Sequence, residues 1–436
     1  MRTKFILDTD LAGFQQDENL TLLVEIKAPT TKNQTSRSSQ GVVLAIDNSG
    51  SMMGAPLDAA KESALKLLAQ LDKKDSFSVV TFDDTARVVV PMRAIADHDL
   101  VAVKQAIRNI AAGGSTDISA GYTMALRQAR ASSADAGTTV LLISDGHANA
   151  GEKNPTFFAD VASKAATERI SCSTIGLSNG YDEKILEAIA QGGGGGHRFA
   201  DGVDEAIGAF AAEITDLLEK VAVNVVMKFT PNELVSGFPQ IEILQRLPFW
   251  KEDNNYFVQL GDFYGGEERR FVMDLSIPGI SALGLCKVAD ITIEYLDLQE
   301  KSEVQINLPV HVNVVPADVA AGRMEDPVVR AERLILSAQA DKAIATDELR
   351  EGKSKQASMR LKSSAENLRR VASQIRVVDE SSAESLAIIL EEANDMEALA
   401  TTAEHEDIAY SQKRLHEDYS RKTRSRNARP ATEDKN

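Results

Sequence analysis

An apolar run that stops at a carboxylate constrains this chain more than any other feature. GVVLAID, residues 41–47, reads as a strand buried on both faces, and its last residue, Asp47, is followed by Ser49 and Ser51 in the order Asp-x-Ser-x-Ser. A strand that delivers one carboxylate and two hydroxyls to a sheet edge is a candidate site for a hard divalent cation. Such ions take oxygen ligands, and Mg²⁺ prefers near-octahedral geometry and keeps several waters. The set carries little charge, so a further ligand from elsewhere in the chain is expected. Alone, Asp-x-Ser-x-Ser is a weak signal, because Ser and Asp are common in turns and at helix N-caps.

Two later segments add what the first lacks. AAGGSTDIS (111–119) places Thr116 and Asp117 in a Gly-rich loop, and TTVLLISDG (138–146) ends a second apolar run at Asp145. In kind and order, the three segments resemble the von Willebrand factor A (vWA) family. FSVVTFDDTARVVVPM and LLISDGHANAG belong to the same likeness, which covers residues 41 to about 220. The resemblance implies a metal-ion-dependent adhesion site. It assigns Asp47, Ser49, Ser51, Thr116 and Asp145 as the ligand set, with Ser49, Ser51 and Thr116 holding the ion directly and the two aspartates acting directly or through water. Mg²⁺ is the expected ion, with Mn²⁺ or Ca²⁺ as substitutes. The family's role further implies a protein partner that offers an Asp or Glu to the metal.

The α/β character also follows from the residues. SFSVVTF, ARVVV, TTVLLIS and ISCSTIGL are short apolar or β-branched runs, as expected for strands of a mostly parallel sheet covered on both faces. Between them lie amphipathic segments. PLDAAKESALKLLAQL aligns Leu57, Ala60, Ala64, Leu67, Leu68 and Leu71 on one stripe. This alternation predicts a doubly wound, Rossmann-like sheet, which binds ligands at the carboxyl ends of its strands, where Asp47 and Asp145 fall. QGGGGGHRF (191–199) lacks the GK[ST] of a phosphate loop and reads as a turn before the last strand. Gly352-Lys353-Ser354 lies in a helical context and is equally uninformative.

From Val221 the pattern changes to period 2, predicting an antiparallel β-sandwich over 221–316. NLTLLVEIKAP (19–29) shows partial alternation. Residues 1–38 are therefore expected to join that sandwich, making the vWA domain (39–220) an insertion; the alternative is an arm on the α/β sheet. Residues 317–424 read as a helical region, with no Pro from 328 to 424, and 425–436 as a disordered tail. The Lys/Arg-rich stretch 412–429 is expected to be a solvated helix end suited to the negative pole of the helix dipole. The order of vWA, β-rich and helical parts resembles prokaryotic vWA proteins and the intracellular part of plant vWA ubiquitin ligases. It is more distantly similar to inter-alpha-trypsin inhibitor heavy chains. With two cysteines there is no RING zinc site.

Composition narrows the function classes. Lys+Arg 48 against Asp+Glu 65 gives a formal net charge of −17, which disfavours general binding to nucleic acid. No apolar stretch reaches the ~20 residues of a membrane helix, and the N-terminus lacks a signal-peptide core. Cys172 and Cys286 read as buried free thiols. A cytoplasmic, non-enzymatic adaptor or scaffold is the expected protein. One alternative is a metal-dependent hydrolase using Asp83, Asp84, Asp117 or His147 as base. The other is a self-associating scaffold whose metal is met by its own carboxylate, from Glu391, Glu392, Glu433 or Asp434.

Overall fold

The computed structural model describes residues 1–30, 38–177, 180–200, 205–210, 213, 219–232, 241–243, 247, 249–375, 380–405, 408, 410–415 and 418. Three strands come first: β1 (Arg2–Leu7), β2 (Leu11–Gly13) and β3 (Glu18–Lys27). The α/β unit follows with β4 (Gly41–Asp47), β5 (Ser76–Phe82), β6 (Ala86–Ala94), β7 (Thr138–Ser144), β8 (Ile170–Leu177) and β9 (Gly194–Ala200). These form one sheet in the order β6-β5-β4-β7-β8-β9, parallel except for β6. Its helices are α1 (Ala55–Gln70), α2 (Leu100–Arg108), α3 (Ile118–Arg130), α4 (Pro155–Thr167), α5 (Glu183–Gly192) and α6 (205–210).

Helices on both faces explain why β4, β5, β7 and β8 are buried at every residue and read as unbroken apolar runs. Along β4, Val42, Leu44 and Ile46 face one core with α1, α2 and α6, while Val43 and Ala45 face the other with α3, α4 and α5. Each of α2 to α5 starts at an Asp or Asn whose side chain accepts a first-turn N–H. The Gly-rich run is not a turn before the last strand. Its first residues end α5, and Gly194 onward is β9 itself, so close to β8 that a Cβ at Gly195 would run into the Cys172 carbonyl.

The chain then enters β10 (Lys220–Pro231), β11 (Ile241–Ile243), β12 (Phe249–Glu252), β13 (Asn255–Tyr264), β14 (Glu268–Ile277), β15 (Gly284–Asp297) and β16 (Ser302–Val315). Two sheets result, β1-β3-β14-β11 and β12-β13-β10-β15-β16-β2, antiparallel apart from the β16–β2 pair. Leu20, Leu22, Val24 and Ile26 of β3 share a core with Val225, Met227 and Phe229 of β10. The strands before and after the α/β unit thus bury one another's side chains. Cys172 is buried and Cys286 half-buried, both as free thiols.

The helical part comprises α7 (Ala317–Ala320), α8 (Pro327–Arg350), α9 (Ser354–Ala372), α10 (Glu380–His405) and a helical segment at 410–415. It packs around Ile335, Leu361, Leu368, Ile389 and Met396. Val328, Val329 and Leu336 of α8 cover Leu23 and Val272 on the outer face of the first sandwich sheet. No described helix is long and apolar enough to cross a membrane. Residues 425–436, including Glu433 and Asp434, lie outside the described residues. Lys413 departs from the expected solvated helix end: it is buried, because the Tyr181 ring and carbonyl receive its ammonium.

The α/β unit is fastened to the sandwich at the amino ends of β7 and β8. Lys220 Nζ donates to Thr139 Oγ1 and Ser171 Oγ, each at 3.2 Å, and pairs with Asp262 Oδ2 at 2.7 Å. Burial alone would raise the Asp262 carboxyl, yet the Lys220 ammonium and the Asn224 N–H hold it below the usual carboxylate range. Lys220→Met is therefore expected to destabilise the protein by about 3–5 kcal/mol by leaving that carboxylate buried and unpaired. Denaturant unfolding checks this, with Lys220→Met/Asp262→Leu recovering most of the loss.

Candidate metal centre

Parallel strands carry their carboxyl ends to one sheet edge, and β4 and β7 are hydrogen-bonded neighbours there. This places Asp47 beside the Ser144–Asp145 end of β7. Asp47 is fully buried: its Oδ1 accepts the Ser49 N–H at 2.8 Å and its Oδ2 accepts the Ser144 hydroxyl at 2.5 Å. The chain then turns through a short 3₁₀ segment, Gly50–Met52, which brings the two serines together with Oγ atoms 3.1 Å apart. Ser51 Oγ donates to Asp145 Oδ1 at 2.7 Å. Ser49 and Asp145 are buried while Ser51 is exposed, so the oxygens line a well that opens at Ser51.

Backbone bonds position the third loop. The Gly113 N–H donates to the Asn48 carbonyl (2.8 Å), the Gly50 N–H to the Gly114 carbonyl (3.1 Å), and Asn48 Nδ2 to the Ala111 carbonyl (2.9 Å). The Thr116 carbonyl accepts from the Asn149 and Ala150 N–H groups at 3.0 and 3.2 Å, tying this loop to the segment after β7. Thr116 is buried in the well. A Cβ on Gly146 would lie 3.1 Å from Thr116 Oγ1, 3.3 Å from Ser51 Oγ and 3.9 Å from Asp47 Oδ2. Oxygens from all three loops thus converge beside a residue with no side chain.

All five residues singled out in the sequence meet at this edge. Their donor set, two carboxylates and three hydroxyls, suits a small hard cation. Among the described residues there is no group of three or more His, Cys, Asp or Glu side chains placed to hold a metal ion. Burial raises the Asp47 carboxyl to about 6 despite the Ser144 and Ser49 hydrogen bonds, with the neighbouring Asp145 adding to the rise. Burial also raises Asp145, against the Ser51 bond.

Two contributors escaped the sequence reading. Ser144 looks like the polar end of an apolar strand; its position next to Asp145 is the one available signal that its hydroxyl reaches Asp47. Gly146 matters for the space it leaves, which no residue pattern records. Asp117 has a local role, capping α3 through the Ala120 N–H at 2.9 Å and the Ser119 hydroxyl at 2.6 Å.

Gly146→Ala should weaken Mn²⁺ or Mg²⁺ binding by more than about tenfold, by calorimetry, because its methyl group occupies the space the oxygens share. Cation affinity should fall as pH drops below about 6, where a proton competes for Asp47. In chelator, the folded state binds the Asp47 proton more tightly than the unfolded chain, so this group's contribution to stability declines from about pH 4 to about pH 6 and then levels off. Asp47→Asn should therefore stabilise the chelated protein at pH 7 by about 1–3 kcal/mol while removing stabilisation by added cation. Urea titrations at pH 5 and 7 with and without Mg²⁺ measure both effects.

Comparison with known proteins agrees with this architecture. Residues 41–212 match the von Willebrand factor type A domain family. The uncharacterized protein YfbK of Escherichia coli is 30% identical over 284 residues, covering 64% of this chain and 49% of that protein. The chain thus spans about half the length of the curated relatives it matches first. Among solved structures, a von Willebrand factor type A protein from Catenulispora acidiphila superposes with a TM-score of 0.65 at 16% identity, covering 91% of this chain and 96% of its own. The ArnB paralog VWA2 from Sulfolobus acidocaldarius gives 0.59 at 18% identity, covering 92% and 97%. At such identities the likeness establishes the fold alone, but over nearly the whole chain, β-sheets and helices included. Residues 41–212 of this protein are a von Willebrand factor type A domain, a family whose members often mediate metal-dependent protein interactions.

Proposed function

We propose that this protein is a metal-dependent protein-interaction module, an adaptor or scaffold whose cation accepts an Asp or Glu from a partner protein. Ser49, Ser51 and Thr116 would hold the ion, with Asp47 and Asp145 acting directly or through water. Mg²⁺ is the favoured ion, with Mn²⁺ or Ca²⁺ as substitutes. The observation that carries this reading is the convergence of Thr116 Oγ1, Ser51 Oγ and Asp47 Oδ2 on the space beside Gly146. Neutral hydroxyls leave a bound divalent ion with charge to spare, so an incoming carboxylate gains a strong contact. The exposed Ser51 puts that contact within a partner's reach.

A binding role rather than catalysis fits the nearby polar groups, which are engaged in holding loops. Asp83 accepts the Thr85 N–H at 2.9 Å, and Asp84 accepts the Ser115 N–H at 3.0 Å together with the Ser115 hydroxyl. Asp117 caps α3. His147 is largely solvent-exposed, 3.9 Å from Asp182. Glu392, one candidate for an internal carboxylate ligand, is committed to Lys342 and Gln339 inside the helical part. The net charge of −17 argues against nucleic acid as the partner. Two free thiols suit a reducing compartment, the cytoplasm.

The test is capture of partners from the source cell's lysate by wild type in Mg²⁺, wild type in chelator, and Ser49→Ala/Ser51→Ala in Mg²⁺. A protein recovered only by metal-loaded wild type is the expected result. The same proteins in all three samples would reject a metal-dependent role.

A further inference from the structure

We propose that residues 410–415, with Asp418, are a strap that positions the metal loop, so that cation binding and the docking of the helical part are coupled; this rests on the cation-site reading above. The strap crosses the sheet edge that carries the metal centre. Beyond β7, that edge continues through β8, followed by Tyr181, to β9, which ends beside Phe199.

Tyr181 is fixed from below. Gly176 has no Cβ to obstruct its ring, and its hydroxyl meets His197 Nε2 at 3.1 Å, whose Nδ1 meets Thr174 Oγ1 at 2.8 Å. From above it is gripped by Lys413, which is 4% exposed with Nζ 3.8 Å from the ring centroid and 3.5 Å from the Tyr181 carbonyl. The next residue, Asp182, donates its N–H to the Gly146 carbonyl at 3.3 Å. The next again, Glu183, accepts two bonds from Arg350 at the end of α8, at 2.9 and 2.6 Å. Arg414 pairs with Glu205 of α6 at 2.7 Å and lies over the Phe199 ring. The strap's other side belongs to the helical part: Leu415 lies in its core, Ser411 Oγ donates to the Thr402 carbonyl at 3.1 Å, and Asp418 pairs with Lys342.

The helical part therefore holds Tyr181 and Glu183, and the residue between them holds Gly146. A cation that settles against Gly146 moves or stiffens that bond, and through it the strap. By reciprocity, a strap that misplaces the 181–183 segment weakens the cation.

The full chain is tested with Mn²⁺ alone, by calorimetry and hydrogen exchange. Mn²⁺ is expected to increase protection at 180–186 and 410–415, and Ser49→Ala to abolish that increase. Lys413→Met and Arg350→Gln should each weaken Mn²⁺ binding about five- to tenfold. Removing a positive charge would by itself strengthen cation binding, so weakening reports position rather than charge. Wild type that binds Mn²⁺ with unchanged protection at 410–415, or both variants binding as wild type does, overturns the strap and leaves the metal site standing. No Mn²⁺ binding by wild type overturns both. The exchange comparison on wild type needs no variant, so a misfolded Lys413→Met does not decide the matter.

Discussion

A carboxylate buried at the end of the central β4 strand organises this molecule. Asp47 is shut away from water, and its hydrogen bonds from Ser144 and Ser49 do not offset the loss of solvent, since its carboxyl remains raised to about 6. A buried carboxylate at neutral pH needs a positive charge, and no described lysine or arginine pairs with it. The three loops around it are built accordingly. Their mutual backbone bonds run through Asn48, Gly50, Gly113 and Thr116, so the donor set is held by the chain itself. Such preorganisation lowers the ordering cost of binding.

The two ends of the α/β sheet are treated differently. At the amino ends of β7 and β8, Lys220 and Asp262 join the α/β unit to the sandwich through a buried ion pair. Gly194 and Gly261 also approach closely there, a Cβ on Gly261 falling 2.9 Å from the Gly194 carbonyl oxygen and one on Gly194 3.2 Å from the Gly261 Cα. At the carboxyl ends the neighbour is the helical part, attached through long side chains, Arg350, Lys413 and Arg414, that reach Glu183, the Tyr181 ring and Glu205. Long side chains accommodate small displacements that a glycine-to-glycine contact forbids. The edge at Asp47 is thus joined to its neighbour by long side chains, and the opposite edge by a buried ion pair and a close glycine contact.

How much of this was legible follows from what each feature depends on. GVVLAID, SFSVVTF, TTVLLIS and ISCSTIGL have the same limits as the strands they form, because burial on both faces writes an unbroken apolar run. The stripe from Leu57 to Leu71 is buried throughout for the same reason. The five candidate residues were readable because Asp47, Ser49, Ser51 and Asp145 lie at or just after apolar strand ends and Thr116 lies in a Gly-rich loop. The glycine run misled because Gly usually marks turns, while here Gly195 serves a close strand contact. Ser144, Gly146 and Lys413 were not legible, since a hydroxyl reaching across strands, a missing methyl group and a lysine laid on a tyrosine ring are consequences of tertiary placement.

The choice of Ser at 49 and 51 completes the electrostatic logic. At the proposed site Asp47 and Asp145 would act directly or through water, and hydroxyls would complete the ion's shell without adding charge. A third carboxylate in place of either serine would leave an anionic site that repels an acidic partner. The chain as a whole carries −17, so its long-range field opposes any carboxylate that approaches. That field is screened within about 8 Å at physiological salt, whereas a contact with a partly dehydrated cation is not. Recognition as proposed would be decided at contact rather than by steering, and would select a carboxylate that can enter the well beside Ser51 over acidic surfaces in general.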